Sequence, residues 1–282
     1  MDHRSGPRRR RRVVRMSTVS YPDLRDKVAI VTGGASNIGR GIVLAFADQQ
    51  AKIVIVDLDV DQAERTAQEV KARGTEVVIV SGDLSKPEVV QNSIETAQST
   101  FGRIDVLVNN LGWQRPAWFT ELDSATIDRT IALNLRATID MCHAVLPVMI
   151  EQGAGSLINI SSDAAFSDVK QSVYGATKAA IISLTKSLAK ETGRSGIRAN
   201  VVAPGLVTPP GNEWVGDNSL WAGDKPVFDE RGLQAVLKGI PLRRMSEPGD
   251  IAAAVLFFAS DLAARQLTGQ VLSVSGGYAM PC

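Results

Sequence analysis

The sequence predicts a single-domain α/β fold, a doubly wound parallel seven-stranded sheet with helices on both faces. Three observations carry that expectation. From about residue 24 to the C-terminus, short β-branched runs alternate with longer stretches whose apolar residues recur at spacings of three and four. The short runs are nearly continuous in apolar residues, as strands covered on both faces must be. The first of them ends in a glycine-rich turn that opens a helix.

The first strand is read at Val28-Ala-Ile-Val-Thr, the second at Ile53-Val-Ile-Val-Asp and the third at Glu76-Val-Val-Ile-Val. Ile104-Asp-Val-Leu-Val, Ser156-Leu-Ile-Asn-Ile-Ser, Arg198-Ala-Asn-Val-Val and Gln270-Val-Leu-Ser-Val complete the set. Residues 60–73 and 123–150 are the clearest amphipathic helices between them. Strand, helix and strand repeated in this way imply right-handed crossovers and a parallel sheet. One stretch breaks the rhythm. Residues 206–240 are rich in Pro, Gly and Trp, and a long irregular loop in a compact domain reads as a lid over a substrate.

Composition bounds the alternatives. At 282 residues and 30.1 kDa, with 44% hydrophobic and 22% charged residues, the chain is globular rather than disordered or coiled-coil. No 18 apolar residues run together, so no membrane span is expected. Two cysteines, Cys142 and Cys282, exclude a disulfide scaffold, and two distant histidines, His3 and His143, exclude a multi-histidine metal centre. The net charge of +1 hides an asymmetry: residues 1–16 hold seven arginines against Asp2, a net +6, which leaves −5 for the rest. Residues 1–23 are therefore read as a disordered basic arm and lead-in, and 24–282 as the domain. The arm reads as an upstream start or processed leader ahead of Met16 rather than as a nucleic-acid arm. It has no apolar core of a secretory signal, so a cytoplasmic protein is expected.

Thr32-Gly-Gly-Ala-Ser-Asn-Ile-Gly39 follows the first strand directly. Glycines there let the backbone approach a pyrophosphate, whose charge meets free amides at the helix start. Gly33, Ser36, Asn37, Ile38 and Gly39 are the candidate contacts. Asp57 ends the second strand, where a carboxylate accepts hydrogen bonds from ribose hydroxyls and repels a 2′-phosphate. No basic residue stands at Ser36 or Leu58 to offset it, which favours NAD over NADP. Tyr174 and Lys178 lie one turn apart on one helix face. A phenol titrates near pH 10, and an adjacent ammonium is expected to lower that value until the tyrosine can act as acid and base.

With Asp83 after the third strand, Asn109-Asn110-Leu111-Gly112, Asn134, Ser162, Tyr174 with Lys178, and Pro204-Gly205 in this order, the chain resembles the short-chain dehydrogenase/reductase family. The resemblance runs from about residue 24 to the C-terminus. It implies a Rossmann fold and hydride transfer between a nicotinamide cofactor and a small-molecule secondary alcohol/ketone pair, without a metal. Tyr174 would exchange the proton, Lys178 would also hold the nicotinamide ribose, Ser162 would bond the reacting oxygen, and Asn134 would support a water chain toward Lys178. Asp83, Leu84, Asn110, Pro204, Gly205 and Val207 would complete the cofactor site. Ser161 competes with Ser162 for the serine role. The chain departs from the pattern at Asn37, where a glycine is usual, at Leu111, and at Thr208, one position early.

Within the family, Asn109-Asn-Leu-Gly-Trp, Ser162-Asp-Ala-Ala and Thr268-Gly-Gln-Val-Leu-Ser-Val-Ser-Gly-Gly resemble most the branch acting on 2-hydroxycyclohexanecarboxyl-CoA. That implies an alicyclic or hydroxyacyl-CoA substrate and oxidation as the working direction. Trp113, Trp118, Phe119, Trp214, Trp221 and Phe228 are candidate walls of an apolar substrate pocket. Helices near 123–150 and 173–193 resemble the family's subunit interfaces and imply a homotetramer or dimer. The rival readings are an NADP-dependent 3-oxoacyl reductase and a nucleotide-sensing regulatory protein that uses the basic arm.

Overall fold

A computed structural model describes residues 19–216, 219, 221 and 230–281. Its strands are β1 (Val28–Thr32), β2 (Lys52–Asp57), β3 (Val77–Ser81), β4 (Val106–Asn109), β5 (Gly155–Ile160), β6 (Ile197–Pro204) and β7 (Val271–Val274). All pair in parallel in one sheet, in the order β3-β2-β1-β4-β5-β6-β7. The helices are α1 (Asn37–Asp48), α2 (Val60–Lys71), α3 (Pro87–Phe101), α4 (Ser124–Ile131), α5 (Ala137–Gln152), α6 (Ser172–Thr192), α7 (Glu230–Gly239), α8 (Pro248–Ala259) and α9 (Asp261–Ala264). The expected seven-stranded, doubly wound fold is what the chain forms.

Side-chain alternation explains why the strand runs are apolar throughout. Ala29 and Val31 of β1, Ile53 and Ile55 of β2, and Val106 and Val108 of β4 join one core with α1, α2 and α8. Their neighbours Ile30, Val54, Val56 and Leu107 join a second core, with α3 and α5, on the opposite face. Each strand therefore buries both sets. Strand order reverses between β1 and β4, and open α/β sheets hold ligands in the crevice at the carboxyl ends of strands flanking such a switch.

One expectation needs correction. Residues 19–23, assigned to a disordered lead-in, are tied down. The Tyr21 amide donates to Gln49 Oε1 at 2.7 Å, Gln49 Nε2 donates to the Val19 carbonyl, and Asp23 accepts from Ser260 Oγ and the Leu262 amide. The arm itself, 1–18, lies outside the described residues. The helical stretch Ser124–Gln152 is long and apolar enough to cross a membrane by composition. Its inner face is committed elsewhere, because Met141, Val145 and Met149 are fully buried in the second core. The helix expected at 123–150 runs without a break from Ser124 to Gln152; the π-turn Ala132–Arg136 between α4 and α5 holds the fully buried Asn134.

Candidate active site

A cleft of about 650 Å³ opens along the carboxyl ends of β1, β2, β4, β5 and β6. All the sequence-selected cofactor residues line it, from Gly33, Ser36, Asn37, Ile38, Gly39 and Asp57 through Asp83, Leu84 and Asn110 to Pro204, Gly205 and Val207. Ser162, Tyr174 and Lys178 line it too, and Asn134 sits behind its wall.

At the dinucleotide end the backbone does the shaping. Gly33 has φ +60°, and a Cβ on Gly39 would fall 1.8 Å from the Gly33 carbonyl oxygen, so the turn closes only without a side chain at Gly39. Asn37 occupies the usual glycine position at φ +38°, a conformation asparagine tolerates better than most residues. Asn110 pins the turn from β4: its Nδ2 donates to the carbonyls of Thr32 and Gly33 at 3.0 and 2.9 Å. Thr32 Oγ1 accepts from the amides of Asn110 and Leu111, which fixes Leu111 against Gly33.

The Asp57 carboxylate accepts from the Ala35 and Asp59 amides at 2.9 and 3.1 Å. Burial pushes this carboxyl above its usual range, and those amides oppose the shift. Asp59 lies beside it on the cleft wall, and among the described residues no Lys or Arg lines this end. Arg40 is nearby in sequence but is directed away. It stacks on Trp214 at 4.5 Å and binds the Glu69 carboxylate and the Glu213 carbonyl.

The catalytic end gathers Ser162, Tyr174 and Lys178. Ser161 Oγ donates to the Lys178 backbone carbonyl at 2.8 Å and so anchors α6 to β5. Ser162 hydrogen-bonds the Tyr174 phenol instead, which separates the two serine candidates. Lys178 is buried, and its Nζ donates to the Ile160 carbonyl at 2.9 Å. Loss of water pulls this ammonium down to about 8.

The expected lowering of the Tyr174 phenol by Lys178 is not what the structure shows. Burial pushes the phenol up to about 12; the Ser162 hydrogen bond opposes the rise and the Asp163 carboxylate adds to it. Lys178 Nζ stands 5.7 Å from the centre of the tyrosine ring, and desolvation of the phenolate outweighs it. Asn134 is held firmly behind the cleft wall. Its side chain is already engaged, donating to the carbonyls of Trp113 and Thr130 and accepting from the Trp113 amide. It therefore stiffens the Gly112–Trp113 turn beside Lys178 and keeps a second Oδ1 lone pair.

The substrate end departs furthest from expectation. Of the six aromatic candidates, Trp113 and Trp221 line the cleft, while Trp118 and Phe119 are exposed outside it. Trp214 packs in the core under Arg40, and Phe228 lies outside the described residues. The described start of the anticipated lid runs to the dinucleotide end: the Val215 carbonyl accepts from Gln62 Nε2 at 2.9 Å, and Gly216 sits beside Ser36 and Asp59. Most of 217–229 is outside the described residues. Thr208 turns to the Ser246 carbonyl and does not line the cleft.

Sequence reasoning missed Asp163, Asp168, Arg129, Lys170 and Tyr278, all of which line the cleft. Asp163 directly follows Ser162, a proximity that was available in the sequence. Tyr278 arrives from the C-terminal segment with no local signal.

Comparison with known proteins settles the family. The profile described as enoyl-(acyl carrier protein) reductase matches residues 33–279, which span the glycine turn, the catalytic cluster and β7. The chain is a short-chain dehydrogenase/reductase. It is 37% identical over 254 residues to the (2S)-[(R)-hydroxy(phenyl)methyl]succinyl-CoA dehydrogenase subunit BbsD of Thauera aromatica, covering 90% of this chain and 97% of that one. Oxidoreductase UcpA of Escherichia coli K12 is 35% identical, with 92% and 96% covered. The 3-oxoacyl-[acyl-carrier-protein] reductase FabG of Thermotoga maritima is 32% identical, with 90% and 98% covered. A solved structure from Sinorhizobium meliloti 1021, assigned to the short-chain alcohol dehydrogenases, superposes with a TM-score of 0.83 at 27% identity, covering 92% and 98%. The protein is thus an oxidoreductase of a family that uses nicotinamide cofactors. The comparisons reach the family and not its 2-hydroxycyclohexanecarboxyl-CoA branch.

Proposed function

We propose that this short-chain dehydrogenase/reductase is an NAD-dependent enzyme that oxidises a secondary alcohol carried on a hydroxyacyl-CoA or alicyclic skeleton. The carrying observation is the pairing of two features in one cleft: Ser162, Tyr174 and Lys178 at one end, and at the other Asp57 with no facing cation among the described residues. The turn made by Gly33, Asn37 and Gly39 fits a pyrophosphate, since it closes at the start of α1 only without a side chain at Gly39. Asp57 and Asp59 fit an unphosphorylated ribose and repel a 2′-phosphate.

The nicotinamide supplies the hydride acceptor for oxidation, or the donor for the reverse reaction. Tyr174 takes the alcohol's proton at its phenolic oxygen as the phenolate, and returns it as the phenol in the reverse reaction. Lys178 provides a buried positive charge at the foot of the same helix face, held in place by Ile160. Ser162 fixes the reacting oxygen against Tyr174. Arg129 and Lys170, stacked on Trp113 and Trp118 at 4.4 and 5.1 Å, line the approach with cation–aromatic pairs that suit an acylated, anionic substrate. The BbsD relative, named for a succinyl-CoA substrate, supports that class. Exposed Ile131, Ile139 and Ile150 on the α4–α5 face support a dimer or tetramer, read out by light scattering.

The FabG relatives favour a second reading, NADP-dependent reduction of a 3-oxoacyl thioester. Initial rates with both cofactors separate the two, over hydroxyacyl-CoA esters, alicyclic alcohols and their ketones. NADH formation from a hydroxyacyl-CoA or alicyclic alcohol is expected. Turnover confined to NADPH and a 3-oxoacyl ester would establish the second reading, and no turnover with either cofactor would refute both.

A further inference from the structure

Ser162 has one proton to give, and the structure shows where it goes. Its Oγ donates to Asp163 Oδ1 at 3.1 Å, accepts from the Ala164 amide at 3.2 Å, and shares a hydrogen bond with the Tyr174 phenol. In that arrangement the Ala164 amide and the Tyr174 O–H occupy both serine lone pairs, and the serine has no proton for the reacting oxygen. An alcohol directs its O–H to Tyr174 and draws no proton from the serine. A ketone oxygen has nothing to donate and needs a proton from the serine. Asp163 lines the substrate end of the cleft, and its Oδ2 lies so near Gly205 that a Cβ there would approach it to 3.4 Å.

We propose that Asp163 is a positioning residue: its carboxylate holds the Ser162 proton away from the reacting oxygen, setting the site for an alcohol and disarming it toward a ketone. The inference rests on the oxidoreductase reading above and adds the device that selects direction. When Asp163 is protonated its O–H donates along the same line to Ser162, the serine's own proton turns into the cleft, and a ketone can be held.

Asp163 is placed to change state in an accessible range. Burial pushes its carboxyl up to about 6; the Ser162 hydrogen bond opposes the rise and the Asp168 charge adds to it. The titratable groups that interact with it are Asp168 from the following loop, Tyr174 from α6 and Tyr278 from the C-terminal segment, while Lys170 and Lys178 line the same cleft. The sign is the same for both effects of the charge. Above about pH 6 the carboxylate withholds the serine proton and also raises the Tyr174 phenol, making it a weaker acid. Both slow reduction.

The test is the pH dependence of kcat/KM for ketone reduction, in wild type, Asp163→Asn and Asp168→Asn. Wild type is expected to fall as pH rises through about 6. Asp163→Asn loses that step and reduces about tenfold faster than wild type at pH 8, with NADH affinity unchanged. Asp168→Asn keeps the step and moves its midpoint down, because a like charge has been removed. A step at the same pH in Asp163→Asn, or slower reduction by it at pH 8, would overturn the inference.

A second measurement needs no turnover and survives failure of the functional reading. In protein carrying ¹³Cγ-aspartate, a carboxyl titrating near 6 should move upward in Ser162→Ala, which removes the donor that lowers it. A titration indifferent to that substitution would overturn the inference even if the substrate were never found.

Discussion

The dinucleotide end and the substrate end of the cleft are made of different material. At the dinucleotide end the working atoms are main-chain groups of the β1–α1 turn, locked by Asn110, with Asp57 added from the end of β2. Every part stands at a strand terminus, so the sheet fixes it. At the substrate end the working atoms belong to side chains carried on connections: Trp113 after β4, Asp163 and Lys170 between β5 and α6, and Tyr278 beyond β7. The sheet holds these only indirectly. Such a site can be rebuilt for a new substrate without disturbing the cofactor, and loops on a rigid scaffold are where that freedom lies.

The largest expected effect divides the two ends most sharply. Replacing Tyr174 with Phe removes the proton carrier while leaving the ring in place. Turnover should fall about 1,000-fold, within the range of a lost general acid–base group. NADH affinity, measured by fluorescence, should change far less, since the glycine turn and Asp57 are untouched. If turnover stayed within tenfold of wild type, the proton would have another route and the catalytic end would need reassignment.

The next expectation acts on the opposite end. Asp57→Ala removes the carboxylate that ends β2 and leaves Asp59 beside the ribose site. A charge-assisted hydrogen bond contributes about 1.5–3 kcal/mol, so kcat/KM for NAD should drop roughly 10- to 100-fold. NADP should gain in relative terms because its phosphate meets less negative charge. An unchanged NAD to NADP ratio would show that discrimination arises elsewhere, and the cofactor reading would lose its support.

The same division governs what could be read from sequence. Strands buried on both faces announce themselves as continuous apolar runs, and Val28, Ile53 and Ser156 stand within one residue of the observed strand starts. Gly33, Gly39 and Asp57 were legible because their chemistry depends on position along a strand and turn. Asp163 was not. Its importance comes from burial and from Asp168, Gly205 and Tyr278, which the fold brings to it from three separate stretches of chain. Tyr174 gives the complementary lesson. Sequence spacing put a cation one turn away and implied an easily ionised phenol, yet spacing carries no information about desolvation, and desolvation dominates. The π-turn around Asn134 left no trace in the periodicity, because one extra residue in a turn barely disturbs a helical pattern.

The smallest expected effect tests whether the substrate end recognises charge at all. Arg129 stacks on Trp113 at 4.4 Å, and both line the cleft. In Arg129→Met the replacement can keep the apolar contact with the indole while losing the cation. A partly exposed cation contributes on the order of 1 kcal/mol to such contacts. KM for a CoA ester should therefore rise several-fold, with kcat nearly constant, because Tyr174 and Ser162 are unaltered. KM for an uncharged alicyclic alcohol should stay within about twofold. Salt supplies an internal check: the wild-type KM for the CoA ester should climb with ionic strength, and the variant's should climb less, since screening acts on a charge the variant lacks. Equal responses of charged and uncharged substrates would mean that Arg129 serves only to brace Trp113, and that the anionic part of the substrate is met by other residues along the cleft.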